Sequence, residues 1–171
     1  RTLPTISAPG EQIASTRRVA GASQCGTAIG AGVLANYAFC SGTSMASPQV
    51  AGLSALLVQW WRTNNGGATP SPAMVKSLLV NGAVDMAAAD VPNNNEGWGR
   101  VHLPRSLASG LQAEYHDQAQ VLTNNGETYE RTFGVPASGS PVRVTLAWTD
   151  APGAAGANPA LVNNLDLVVD L

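Results

Sequence analysis

A chain of 171 residues that is 44% hydrophobic and 12% charged has enough apolar content for a globular core, in one domain or in a domain and part of another. Nine basic side chains stand against eleven acidic ones, with no basic cluster and no alternation of arginine with aromatics, which excludes nucleic acid as a partner on electrostatic grounds. The longest uncharged run, residues 39–61, contains Ser, Thr, Gln and Pro and lacks the roughly 20 predominantly apolar residues of a bilayer span, so it predicts a buried helix and no membrane segment.

Residues 1–40 read as short strands and loops: Thr5-Ile6-Ser7 before Ala8-Pro9-Gly10, a polar stretch at Arg17-Arg18, then a Gly/Ala-rich segment to Tyr37. Two cysteines, Cys25 and Cys40, are too few for a disulfide-rich scaffold and lack the spacing of a zinc site; in an oxidising compartment they can form one bridge. From Ser44 to about Arg62, Met45, Val50, Leu53, Leu56, Leu57, Trp60 and Trp61 alternate with small residues, which predicts a central helix, apolar and close-packed on most sides. Pro48 suits such a helix only in its first turn, so the helix should begin very near Ser44. Asn64-Asn65-Gly66-Gly67 stops it, and Thr69-Pro70-Ser71-Pro72 opens a second helix through Met74, Val75, Leu78 and Leu79 to Asn81-Gly82. The two should pack as neighbours.

After the polar loop 93–96 and the stretch Gly97-Trp98-Gly99-Arg100-Val101, the period changes from helical to β at about Gln112. Tyr129, Phe133 and Val135 alternate with polar residues, as do Val142, Val144, Leu146 and Trp148, and then Leu165, Leu167 and Val169. These runs predict an incomplete antiparallel β-sandwich over residues 111–171, with a boundary near Gly110. The chain starts at Arg1 without an initiator Met and ends at Leu171 inside an alternating pattern, so the expectation is a fragment, with an open sheet edge that favours self-association.

The stretch 41–52 reads "SGTSMASPQVAG" and raises a chemical question, because cores do not collect hydroxyls without a reason. A serine at the start of a helix has its own N–H among the unpaired donors of the first turn, at the positive end of the helix dipole. That N–H can donate to the oxyanion of a tetrahedral intermediate, and the small neighbours Gly42 and Ala46 let a substrate carbonyl approach. The plainer alternative is that Thr43 or Ser44 is a helix N-cap. Ser41 and Ser47 read as turn and helix-start residues whose hydroxyls satisfy local backbone, and Trp60 and Trp61 as core and rim aromatics.

The string G-T-S-M-A-S-P followed by Val50-Ala51-Gly52 closely resembles the nucleophile motif of the subtilisin-like serine proteases. Ala8-Pro9-Gly10 is similar to the A-P-G turn of that family, and Gly97-Trp98-Gly99-Arg100-Val101 to the segment that closes its catalytic domain. The resemblance covers roughly residues 1–110 and implies the C-terminal part of a three-layer α/β catalytic domain. It makes Ser44 the nucleophile and a backbone oxyanion donor, with Thr43 and Gly42 against the substrate. It implies protein or peptide substrates, a secreted or periplasmic protein, and no cofactor for the chemistry. The family order is Asp, His, Ser, and no His precedes Ser44, so the resemblance places the other triad members, and an oxyanion Asn, in an N-terminal part outside this sequence. Gln49 stands where many relatives have a non-catalytic His. The strings "VTLAWTDAPG" and "LVNNLDLVVD" resemble the jelly-roll-like sandwich of the alkaline, oxidatively stable branch.

Two alternatives stay open. Gly42-Thr43-Ser44-Met45-Ala46 nearly matches the nucleophile elbow of α/β-hydrolases, with Asp85, Asp90, His102 and His116 downstream as partners; against this, residues 38–41 make a poor strand and the later pattern is antiparallel. His102 and His116 then read as surface or loop residues, and Asp85 and Asp90 as helix-end and loop solvation. The chain can instead be a non-catalytic module whose sandwich serves stability or binding. Asp150, Asn163, Asn164 and Asp166 offer oxygens for a structural Ca²⁺, or serve Asx-turns.

Overall fold

The computed structural model describes residues 3–18, 25–87, 90–135 and 141–170; part of the Gly/Ala-rich stretch, residues 19–24, lies outside them. The first regular element is a hairpin-like pair. Strand β1 (Ile13–Thr16) runs antiparallel to β2 (Tyr37–Cys40), with Ile13 opposite Cys40 and Thr16 opposite Tyr37. Residues 38–40 therefore do belong to a strand, contrary to the sequence expectation: β-prone Tyr37 and Phe39 and a ready partner in β1 outweigh the small Ala38 between them.

Cys40, the last residue of β2, is bridged to Cys25, with Cα atoms 4.9 Å apart across a separation of 15 residues. Closing a loop of that size contributes roughly 3 kcal/mol in the chain-entropy model. Reduction should therefore lower the stability read by urea denaturation by about that amount. Two alkylatable thiols in the native, unreduced protein would contradict the pairing.

The chain passes from β2 through Ser41-Gly42 into α1 (Thr43–Asn64). Asn65 caps it, Gly66 turns left-handed at φ 61°, and the Gly67 N–H reaches back to the Arg62 carbonyl at 2.8 Å, the bond that closes a Schellman motif. Helix α2 (Pro72–Asn81) begins as its sequence predicts, with Pro72 at the first position and the Ser71 hydroxyl accepting the Met74 N–H at 3.0 Å. One short helix, α3 (Leu103–Ser106), follows.

The core lies between α1 and α2. Leu57 and Trp61 of α1 meet Met74, Leu78 and Leu79 of α2 and Val101, with Leu53, Trp60, Val75, Leu103 and Leu107 at the rim. Leu57 is fully buried, and one such side chain contributes about 1.5–3 kcal/mol. Helix α1 differs from expectation on its other side, where Ala51, Gly52, Ala55 and Leu56 are exposed, Leu56 at 49%. Among the described residues α2 and α3 cover only the flank that carries Leu57 and Trp61.

Residues 97–101 thread between two backbones. The Ser7 N–H donates to the Gly99 carbonyl and the Val101 N–H to the Ser7 carbonyl on one side, while Arg100 exchanges both bonds with Val84 on the other. Both glycines are required there. A Cβ on Gly97 (φ 68°) would lie 2.3 Å from the Pro4 carbonyl oxygen, and one on Gly99 (φ 108°) 2.5 Å from that of Val84.

Among the described residues from 111 onward there is no strand, so the β-sandwich expected for residues 111–171 is not seen there. Its alternating apolar side chains stay partly exposed, Val142, Val144 and Leu146 at 40–41%. Three patterned runs are too few to close two sheets over a core, and an unpaired strand has no ladder to hold it. The turn at 123–127 is closed instead by Glu127, whose carboxylate accepts the Asn124 side-chain amide and the Thr123 N–H and hydroxyl. Those bonds, the Asn124 amide foremost, lower its pKa from 4.5 to about 2. The charged form is favoured in the fold, so this closure is complete above pH 4.5 and is lost as the pH falls through about 2. An NMR titration of the Glu127 side chain should give a midpoint near 2; a midpoint near 4.5 would remove the closure.

Candidate active site around Ser44

Three hydrogen bonds fix the turn before α1 to the Ala8-Pro9-Gly10 turn and its neighbour. The Gly42 N–H donates to the Gly10 carbonyl at 2.7 Å, the Gln12 N–H to the Ser41 hydroxyl at 2.9 Å, and the Gln49 side-chain amide to the Pro9 carbonyl at 2.7 Å. Gly42, the N-cap of α1, sits at φ 147°, where only glycine is unstrained. Gly10 is needed for proximity, since a Cβ there would stand 2.8 Å from the Gly42 carbonyl oxygen. Ser41 thus serves backbone satisfaction, with a partner 29 residues away and not the local backbone that its sequence context predicts.

Ser44 lies in the first turn of α1, exposed, and neither its hydroxyl nor its N–H has a hydrogen-bond partner among the described residues. N-capping falls to Gly42, so neither Thr43 nor Ser44 is spent on that task. Pro48 corrects an expectation. The helix begins at Thr43 and Pro48 falls in its second turn, four residues after Ser44, so the Ser44 carbonyl has no N–H to accept. The outcome is a first turn with free backbone groups at the positive end of a 22-residue helix, a setting that stabilises a nearby negative charge.

A groove of about 290 Å³ opens beside it. Ile13, Ala14 and Ser15 of β1 form one wall, and Ser44, Met45, Pro48 and Gln49 of α1 the other. Neither a histidine nor a carboxylate is among these residues. Thr43, predicted beside the substrate, is exposed at the start of the helix next to the groove.

The structure does not bring the downstream titratable residues to the groove wall. The Nδ1 of His102 accepts the Arg105 N–H at 3.3 Å as N-cap of α3, and exposed His116 contacts Glu114 and the Tyr129 hydroxyl. Asp85 accepts the N–H groups of Ala87 and Asp90, and Asp90 accepts from Asn93, which is loop solvation as predicted. With buried Glu96, whose carboxylate holds the Met86 N–H, they form the one acidic group with metal-like spacing among the described residues.

Asp150 accepts four hydrogen bonds, from the N–H groups of Ala151, Val162 and Asn163 and from the Asn163 side-chain amide. These bonds, that of Val162 foremost, hold its carboxyl below the usual range. In this arrangement the carboxylate closes a turn, with its oxygens engaged by N–H donors. Asn164 and Asp166 contribute nothing to that cluster. The sequence reading missed Gln49 and Gly10 as supports of the Ser44 turn; the signal available was a single amide in a helix otherwise free of long polar side chains up to Gln59.

No helix among the described residues is long and apolar enough to cross a membrane. In comparisons with known proteins, the Serine protease/ABC transporter B family protein tagD of Dictyostelium discoideum is 26% identical over 227 aligned positions, covering 99% of this chain and 12% of that protein. The chain thus spans about an eighth of that curated relative's length. Among solved structures, the CspB protease of Clostridium perfringens matches 61% of this chain and 20% of its own at 31% identity, with a TM-score of 0.47. A lanthipeptide protease matches 43% of this chain and 21% of its own at 32% identity, with a TM-score of 0.39. Residues 1–99 match Peptidase_S8, the subtilase family, and with more than half of its length inside that match the chain belongs to the subtilase family.

Proposed function

We propose that this chain supplies the nucleophile and one oxyanion donor of a secreted serine endopeptidase, with Ser44 in both roles. The observation that carries the proposal is the first turn of α1, where the Ser44 hydroxyl and N–H are both unpartnered, exposed and beside a groove. In that mechanism the Ser44 Oγ attacks the scissile carbonyl while a histidine takes its proton, an aspartate orients the histidine, and the Ser44 N–H donates to the developing oxyanion. Collapse of the tetrahedral intermediate expels the amine, protonated by the same histidine, and leaves an acyl-enzyme that water hydrolyses. In this reading the histidine, the aspartate and a second oxyanion donor come from outside residues 1–171, which is supported by groove walls that carry neither a histidine nor a carboxylate and by the bonds of His102 and His116 elsewhere.

Residues 1–110 then form the C-terminal part of the catalytic domain, whose further layer covers the bare face of α1, and residues 111–171 begin the sandwich of the alkaline, oxidatively stable branch. The bridge between Cys25 and Cys40 supports export to an oxidising compartment. The chemistry needs no cofactor. A peptide-hydrolysis assay tests the division of labour. Residues 1–171 alone should be inactive and should gain activity when joined to a subtilase segment carrying the family Asp and His. Strong hydrolysis by residues 1–171 alone that is lost in His102→Ala would overturn it and favour the α/β-hydrolase order.

A further inference from the structure

Downstream of α3 the chain returns to the helix pair at three places. The Tyr115 ring stands edge-on to both Trp60 and Trp61 of α1, with centroids 5.7 and 5.8 Å away. The Asp117 carboxylate accepts the N–H of Ser71, the N-cap residue of α2, at 2.7 Å. At the other end of that helix, Arg143 Nη1 donates to the carbonyls of Asn81 and Ala83 at 2.8 and 3.0 Å. The Asn81 side-chain amide returns two bonds, to the Arg143 carbonyl and to the Thr145 hydroxyl.

The signs match the helix. A carboxylate sits at the N-terminal end and a guanidinium at the C-terminal end, where the backbone leaves unpaired donors and acceptors and the macrodipole favours those charges. Helix α2 has no acidic residue in its own first turn and no basic residue in its last. The charges that complement its dipole therefore come from elsewhere in the chain, and both come from the downstream part.

We propose that α2 is the docking element for the downstream part of the chain, clasped at both ends by Asp117 and Arg143 with Tyr115 as the apolar pin. The clasp makes the order of α2, and of α1 packed against it, depend on the downstream part being seated. Since α1 carries Ser44 at its start, the downstream part contributes to the rigidity of the helix pair without approaching the groove.

Hydrogen exchange read by mass spectrometry on the 171-residue chain tests this. Arg143→Gln and Asp117→Asn should each speed exchange of the α2 amides by about fivefold, the scale of losing a charge-assisted helix-end contact. Arg143→Lys keeps the charge and should restore most of the protection, and 1 M salt should shrink the difference between native protein and variants. Arg131→Gln is the control, since that guanidinium lies 3.9 Å from Glu114 in an exposed pair and touches neither helix end. Unchanged α2 exchange in both Arg143→Gln and Asp117→Asn would overturn the proposal. So would an acceleration spread evenly along the chain, or one equalled by Arg131→Gln.

Discussion

Replacing Gly97 by alanine should destabilise the protein by about 3 kcal/mol or more, whereas Gly66→Ala should cost only about 1–2 kcal/mol. Both glycines are left-handed, at φ 68° and 61°, so both substitutions carry the conformational penalty of an L side chain there. They differ in their surroundings. A Cβ on Gly66 meets nothing within 4 Å, but one on Gly97 falls 2.3 Å from the Pro4 carbonyl oxygen and 2.5 Å from that of Thr5. Neither is a flexible side-chain tip, so the backbone must separate. Separation takes with it the Trp98 N–H bond to Thr5 at 3.0 Å and endangers the bridge of Ser7 to residues 99–101 that leads Val101 into the core. Urea denaturation of the two variants beside the native protein measures the difference; equal losses would mean that the close approach of residues 4–5 to Gly97 does not contribute.

Ser44→Ala should lower kcat of the assembled protease by about 10⁶, roughly 8 kcal/mol of transition-state stabilisation, with KM little changed. The same substitution should leave the unfolding free energy within about 0.5 kcal/mol, because the hydroxyl is exposed and has no partner to lose. That pairing of a large kinetic effect with a negligible stability effect separates a nucleophile from a helix-start serine. Ser41→Ala should behave in the opposite way. Its hydroxyl accepts the Gln12 N–H, so stability should fall by about 1 kcal/mol while most activity survives.

The helices were legible from local signals. Asn65-Gly66-Gly67 and Ser71-Pro72 are stop and start chemistry that acts within a few residues, and the structure ends α1 and begins α2 at those places. Pro48 misled because proline is tolerated beyond the first turn when the carbonyl four residues earlier stays accessible, as that of exposed Ser44 does. Strand β2 was underrated because its stability comes from pairing with β1, twenty residues and more upstream, which periodicity does not see. The same nonlocality hid the Gln49 bond to Pro9 and the Asp117 and Arg143 contacts to α2. The alternating runs after residue 111 are clear as pattern, yet a pattern specifies which side of a strand is apolar and not what it pairs with.

Ser44 as nucleophile is tested most directly by labelling. The 171-residue chain joined to a subtilase segment carrying the Asp and His is treated with a fluorophosphonate and the modified peptide is mapped by mass spectrometry. The adduct should sit on Ser44 alone, disappear in Ser44→Ala, and persist in Ser41→Ala and Ser47→Ala. An adduct on any other serine, or one that survives Ser44→Ala, would contradict the assignment.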